Sequence, residues 1–164
     1  MKIRIVTDSG SDLSDEEASN LDILIVPLSI RFGEEELIDR VELGADEFYN
    51  RMHNSEDVPQ TAAPSPGAFK TVFEECFEQG AESVICINMS SDLSATIQAA
   101  ETGARELDGK DIRIFDSKSV TGGLGTMVLE AAKASKDNRS VDEILTLLDD
   151  LRSKTRVYAA IDTL

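Results

Sequence analysis

Ser83 to Gly125 reads SVICINMSSDLSATIQAAETGARELDGKDIRIFDSKSVTGGLG, and the period of its apolar residues changes along its length. SVICINM is a short continuous apolar run, of the length expected for a buried strand. The serine-rich SSDLS ends it. ATIQAAETGARELDG then spaces its apolar residues three and four apart, as one face of a helix requires. IRIFDS is a second strand-like run, and the glycine-rich VTGGLG leads into the helical TMVLEAAKA. A strand, a helix and a further strand in this order form a crossover unit with parallel strands.

The same alternation extends outward. KIRIV (residues 2–6) predicts a first strand, followed by the polar turn TDSGSD. Ser14 precedes Asp15, Glu16 and Glu17 with the spacing of a capping box, which starts a short helix. DILIVPLSIRF (22–32) is an extended run in which Pro27, lacking an N–H, predicts a sheet edge or a bend. Gly33 with the acidic Glu34 to Glu36 reads as a hairpin turn, and ADEFYNRMH (45–53) as a helix. SEDVPQTAAPSP (55–66), rich in proline and small residues, is read as irregular. Ser65 and Pro66 suit the N-cap and first turn of a helix carrying Phe69, Val72, Phe73 and Phe77 on one face. Ser140 with Glu143 repeats the capping box before a helix with Ile144, Leu147, Leu148 and Leu151 on one face. RVYAAI (156–161) reads as a last strand. The fold class expected is α/β, a mainly parallel sheet with helices on both faces, in one domain over residues 1–164. Because the chain stops straight after a strand-like run, at Asp162-Thr163-Leu164, it reads as the N-terminal part of a longer polypeptide with a second domain beyond.

Charge narrows the function. Thirty-two acidic residues against 16 basic ones give a formal net charge of -16. Nucleic-acid binding needs a basic face that displaces counterions, and an anionic membrane surface repels such a chain. No apolar stretch approaches a membrane span, and the start MKIRIVTDSGSD has no signal-peptide pattern. Cys76 and Cys86 lack metal or redox spacing and sit in apolar runs, so they read as reduced, buried residues of a cytoplasmic protein.

In open parallel sheets, ligands gather beyond the carboxyl ends of the strands. Four loops fit that position: Thr7 to Ser11, Thr61 to Pro66, Ser90 to Ser94, and Asp116 to Gly125. All are rich in small hydroxyl residues, and together they hold one basic side chain, Lys118. One reading is an anion site built from hydroxyls and the free N–H groups of helix starts. The other is that the serines simply cap helices. Asp8 and Asp116 each follow a strand, so they read either as Asx-turn residues or as acid–base groups of an enzyme acting on a phosphorylated or carboxylated metabolite. The glycine run 122–125 lacks the lysine of a nucleotide-binding loop, and its small residues suit close packing. His53, the only histidine, has no nucleophile motif beside it. No cofactor and no metal are expected.

At these loops the chain resembles the DegV family, also known as the bacterial fatty-acid-binding FakB proteins. The matching pieces are Val6-Thr7-Asp8-Ser9 with Asp12-Leu13, Val26-Pro27-Leu28, Thr61 with Pro64-Ser65-Pro66, Ser90-Ser91 with Leu93-Ser94 and Thr96, Asp116-Ser117, and the final Asp162-Thr163-Leu164. The resemblance implies a two-domain protein that holds one long-chain fatty acid in a tunnel. It implies that a partner fatty-acid kinase phosphorylates the bound carboxylate, the DegV protein being a carrier and not the catalyst. Thr61 and Ser94 match the family's carboxylate-binding hydroxyls, and Asp8, Ser9, Ser91 and Ser117 complete the expected ligand-binding set. Two loops depart from the family pattern: Ala62 and Ala63 replace polar residues, and Asp92 and Ala95 stand at two glycine positions.

Overall fold

The structure is a computed structural model and describes residues 2–55 and 58–160. Its centre is a four-stranded parallel sheet of β1 (Ile3–Asp8), β2 (Leu24–Val26), β6 (Ser83–Asn88) and β7 (Asp111–Asp116), in the order β2-β1-β6-β7. Ile5 lies opposite Ile85, and Ile85 opposite Arg113. Every residue of β6 is buried, as a continuous apolar run in a central parallel strand should be. Edge strand β7 keeps Arg113 outward, paired with Asp111 at 2.7 Å, a charged edge of the kind that resists pairing with another chain.

Helices cover both faces, as the alternating pattern predicts. On one side Ile3, Ile5, Ile85, Ile87 and Phe115 meet α1 (Asp15–Asn20), α5 (Thr121–Lys136) and α6 (Val141–Lys154). On the other, Val6, Val26, Val84 and Cys86 meet α3 (Pro66–Glu78) and α4 (Thr96–Arg105). Phe69 and Phe73 are fully buried there, ring centroids 6.0 Å apart. Burial of each contributes about 1.5–3 kcal/mol. Both capping boxes form, at Ser14–Glu17 and Ser140–Glu143, and Ser65 caps α3 with Pro66 in its first turn. Burial pushes the Cys76 thiol up to about 11, and raises that of Cys86 well above its ordinary value, so both are unreactive thiols.

Pro27 marks the point where the chain leaves the parallel sheet. Beyond it β3 (Ser29–Phe32), β4 (Glu35–Ile38) and β5 (Gln60–Ala62) form a second, antiparallel sheet in the order β4-β3-β5. The β3–β4 hairpin turns at Gly33, whose φ of 58° lies in the left-handed region. With α2 (Ala45–Asn54) this sheet builds a small core of its own from Ile30, Phe32 and Leu43, with Leu37 and Phe48 packed against it.

Four expectations from the sequence need correction. Residues 60–62, read as irregular, are strand β5; its side chains are exposed and only its backbone pairs with β3, so no apolar pattern announces it. The glycine run is not a loop before a helix but the first turns of α5 itself. The helix through 95–109 stops at Arg105 and finishes in turns. Residues 156–160 form no strand; they have strand composition but no paired neighbour, and Tyr158 is 92% exposed. Ile161 and the final Asp162-Thr163-Leu164 lie outside the described residues.

The glycines of α5 separate two causes. A Cβ on Gly125 would come within 2.6 Å of the Ser11 carbonyl oxygen, whereas one on Gly122 would meet nothing within 4 Å. Gly125→Ala should therefore destabilise the fold by about 1–3 kcal/mol, as overpacking does. Gly122→Ala should be neutral or stabilising by up to about 1 kcal/mol through helix propensity. Urea unfolding of both variants checks this, and equal effects would remove close backbone approach as the reason for Gly125.

Candidate functional site

The carboxyl edge of the parallel sheet is stitched by aspartates. Asp8, the last residue of β1, is 0% exposed. One carboxylate oxygen accepts from the Gly10 N–H at 3.0 Å and shapes the short 3-10 turn Ser9–Ser11. The other accepts from the Met89 N–H at 2.9 Å and the Asn88 side-chain amide at 3.1 Å, both at the end of β6. Burial pushes this carboxyl above its ordinary value, against three hydrogen bonds that favour the charged form. Asp116 repeats the arrangement at the end of β7. Its Oδ1 accepts from the Lys118 N–H at 3.0 Å and the Ser91 N–H at 3.3 Å. Burial acts to raise the Asp116 carboxyl, but hydrogen bonds from Ser91 and Lys118 together hold it below the ordinary value. Both aspartates are thus Asx-turn residues that also bind the neighbouring loop. Asp8 exposes no oxygen to a cleft, and the geometry gives no support to general acid–base chemistry there.

The hydroxyls divide into three groups. Ser9 and Thr61 line one cavity of about 510 Å³ together with Leu13, Ile30, Phe48 and Tyr49. Ser9 reaches it from the turn after β1, and its Oγ accepts from the Leu28 N–H at 3.1 Å, which fastens the link between the two sheets. Thr61 reaches it from β5, opposite Ile30, and not from a loop at a helix start. Asp12, Asp39 and Arg40 also line the cavity. Arg40 donates to the Leu13 carbonyl and pairs with Asp15, joining the second sheet to the first. Burial, and after it the Asp39 charge, raise the Asp12 carboxyl, with Arg40 opposing.

Ser94 stands at the start of α4. Its Oγ lies 2.8 Å from the Thr96 hydroxyl and accepts from the Thr96 N–H at 3.3 Å, a local turn one residue before the N-cap Ala95, and the serine stays half-buried. Ser91 and Ser117 belong to the seam between the β6 and β7 loops. Ser91 Oγ accepts from Lys118 Nζ at 2.8 Å. Ser117 is buried, and its hydroxyl serves Ser119, donating to the carbonyl at 3.2 Å and accepting from the N–H at 3.1 Å. Sequence reasoning did not single out Asn88 as a site residue, although an asparagine directly after the apolar run VICI is a readable signal of an internal polar contact. Among the described residues no group of three or more His, Cys, Asp or Glu side chains could hold a metal ion, and no helix is long and apolar enough to cross a membrane.

The stitch at Asp8 can be weighed directly. Asp8→Ala leaves the buried Asn88 amide and the part-buried Gly10 and Met89 N–H groups without their acceptor, at about 1–3 kcal/mol for a buried donor and less where water reaches, so the variant should lose about 2–3 kcal/mol. Asp8→Asn keeps one acceptor oxygen and should lose less. Denaturant unfolding gives both values; a loss below 1 kcal/mol for Asp8→Ala would mean that another contact holds the two loops together.

The comparisons with known proteins place the chain in a family. The model of the DegV family matches residues 2–164. A DegV domain-containing protein of Halalkalibacterium halodurans is 35% identical over 163 residues, 99% of this chain and 58% of the relative. One from Clostridium perfringens is 34% identical over the same shares. The chain therefore spans somewhat over half the length of the curated relatives it matches. Among solved structures, a DegV family protein from Thermus thermophilus described for its fatty acid binding superposes with a TM-score of 0.86 at 32% identity, over 93% of this chain and 54% of that one. A stearic acid-binding protein from Eubacterium ventriosum gives 0.82 at 30% identity, over 90% and 52%. DegV from Bacillus subtilis, described as a fatty acid binding protein, gives 0.87 at 28% identity, over 93% and 54%. By sequence over its whole matched length and by fold, the chain belongs to the DegV family.

Proposed function

We propose that this chain binds a long-chain fatty acid, with its carboxylate among the hydroxyls at the carboxyl edge of the sheet, and presents it to a partner kinase. The observation that carries the reading is the cavity in which Ser9 and Thr61, brought from different sheets, face a wall that includes Leu13, Ile30, Phe48 and Tyr49. A site for an amphiphile needs that combination of a few hydroxyls beside apolar surface. The related structures described as fatty-acid-binding proteins lend it support.

Affinity and orientation have separate sources in such a site. Burial of the acyl tail contributes roughly 0.8 kcal/mol per CH₂. A head-group hydrogen bond adds only about 1 kcal/mol net, and somewhat more when charged. We assign the orientation of the carboxylate to Ser9 and Thr61, which share the cavity, and to Ser91 and Ser94 before α4, while Asp8 and Ser117 hold the loops around Ser9 and Ser91 and Thr61 is carried by β5. We further propose that a second domain, in a protein of the relatives' full length, supplies the remaining polar contacts and much of the tail's enclosure.

Native mass spectrometry tests the reading, on this chain and on a form extended to the length of its relatives. A co-purifying mass that matches a fatty acid and leaves on denaturation is the expected result. A clean unliganded mass in the extended form, even after incubation with mixed fatty acids, would overturn it. Ser94→Ala should lower the phosphorylation of bound acid by a matched kinase more than it lowers binding. Equal phosphorylation of the variant and the unaltered protein would count against presentation to a kinase through Ser94.

A further inference from the structure

The loops after β1, β6 and β7 hold Lys118 as their single basic side chain. Its backbone is left-handed, with φ at 50°. Its ammonium lies 2.8 Å from Ser91 Oγ, 3.2 Å from Asp116 Oδ2 and 3.3 Å from each carboxylate oxygen of Asp92. An ammonium has three donors, and here it faces three acceptor groups. A ligand carboxylate can therefore reach it only by displacing one of them.

The three acceptors are not equally replaceable. Asp116 is fixed by the Ser91 and Lys118 N–H groups, and its carbonyl accepts from Arg152 at 3.0 Å. Ser91 is fixed through the same carboxylate. Asp92 stands at the outside, its side chain 76% exposed. It also sits two residues before Ser94, in a turn closed by the Ser94 N–H on the Ser90 carbonyl at 3.2 Å. A carboxylate arriving at Ser91 thus meets Lys118 as its attractive charge and Asp92 as its competitor.

We propose that Lys118 is the counter-charge of the bound acid's head group and that Asp92 competes for it, so that the pair sets how strongly this chain prefers a carboxylate to an uncharged head. The proposal rests on the fatty-acid reading above and assigns to two further residues the head-group selectivity of that site. The pair is solvent-exposed, so its effect is a tuning of a few-fold, and salt weakens it.

Titration calorimetry with a long-chain saturated fatty acid and with the fatty alcohol of equal chain length tests this, at low and high salt. The proteins compared are the unaltered chain, Asp92→Asn and Lys118→Gln, in this form and in the form extended to the relatives' length. Asp92→Asn should tighten the acid about threefold to fivefold, and Lys118→Gln should weaken it by a similar factor, as for one exposed ion pair. Lys118→Gln should also flatten the salt dependence, and the alcohol's affinity should stay unchanged throughout. If acid and alcohol shift together, the two residues only support the loop and the proposal falls. It falls too if both ligands bind and neither variant moves the acid. If neither ligand binds the unaltered protein in either form, the fatty-acid reading itself fails and takes this inference with it.

Discussion

A buried carboxylate with three donors is the constraint on which the site edge depends. Asp8 joins the end of β1 to the end of β6 through Asn88 and Met89, and it shapes the turn from which Ser9 reaches the cavity. A charge taken out of water is costly unless its lone pairs are met. Here the Gly10, Met89 and Asn88 donors meet them, and those same donors would be unpaired without it. The arrangement fixes two loops at once. Asp116 does the same one strand further along, with Ser91 in the place of Met89. The parallel sheet therefore ends in a polar seam, and Ser9 and Ser91 stand on loops that are already tied down, while Thr61 is held by β5.

The seam also explains how an acidic chain can offer a place for an anion. The net charge of -16 is spread over the molecule. At the carboxyl edge, however, Asp8 is buried and Asp116 is committed to N–H groups and Lys118. What remains accessible there is hydroxyl and amide, with the exposed Lys118–Asp92 pair as the local charge. Of the acids that line the cavity, Asp15 pairs with Arg40, and Arg40 also opposes the Asp39 charge at Asp12.

Much of the fold was legible because burial leaves a periodic mark. The buried strand SVICIN, both capping boxes and the Ser65-Pro66 helix start all stood in the sequence as composition and spacing. Strand β5 was not legible, because Gln60, Thr61 and Ala62 are exposed and pair through backbone alone. The helical glycines of α5 read as a loop; one of them, Gly125, owes its place to a close approach to Ser11, over 100 residues away. Residues 156–160 erred the other way, with β-branched and aromatic side chains but no strand to pair with. At the site, Asp8 and Asp116 form the Asx turns that aspartates directly after strands suggest. The direction taken by Lys118 was beyond sequence, because it follows from a left-handed backbone and acids brought in by another loop.

The pairing of β1 with β6 has a consequence in time. Asp8 and Asn88 are 80 residues apart, and the antiparallel sheet and α2 lie between them. During synthesis β1 emerges first, at about 5–20 residues per second, and waits on the order of ten seconds for its central neighbour. Meanwhile the β3–β4 hairpin, closed by a two-residue turn, has its partner at hand. The local unit is thus expected to form early, with the long-range sheet closing after it. Until then β1, a strand destined for the middle of the sheet, keeps an open hydrogen-bonding edge, an aggregation hazard of the growing chain.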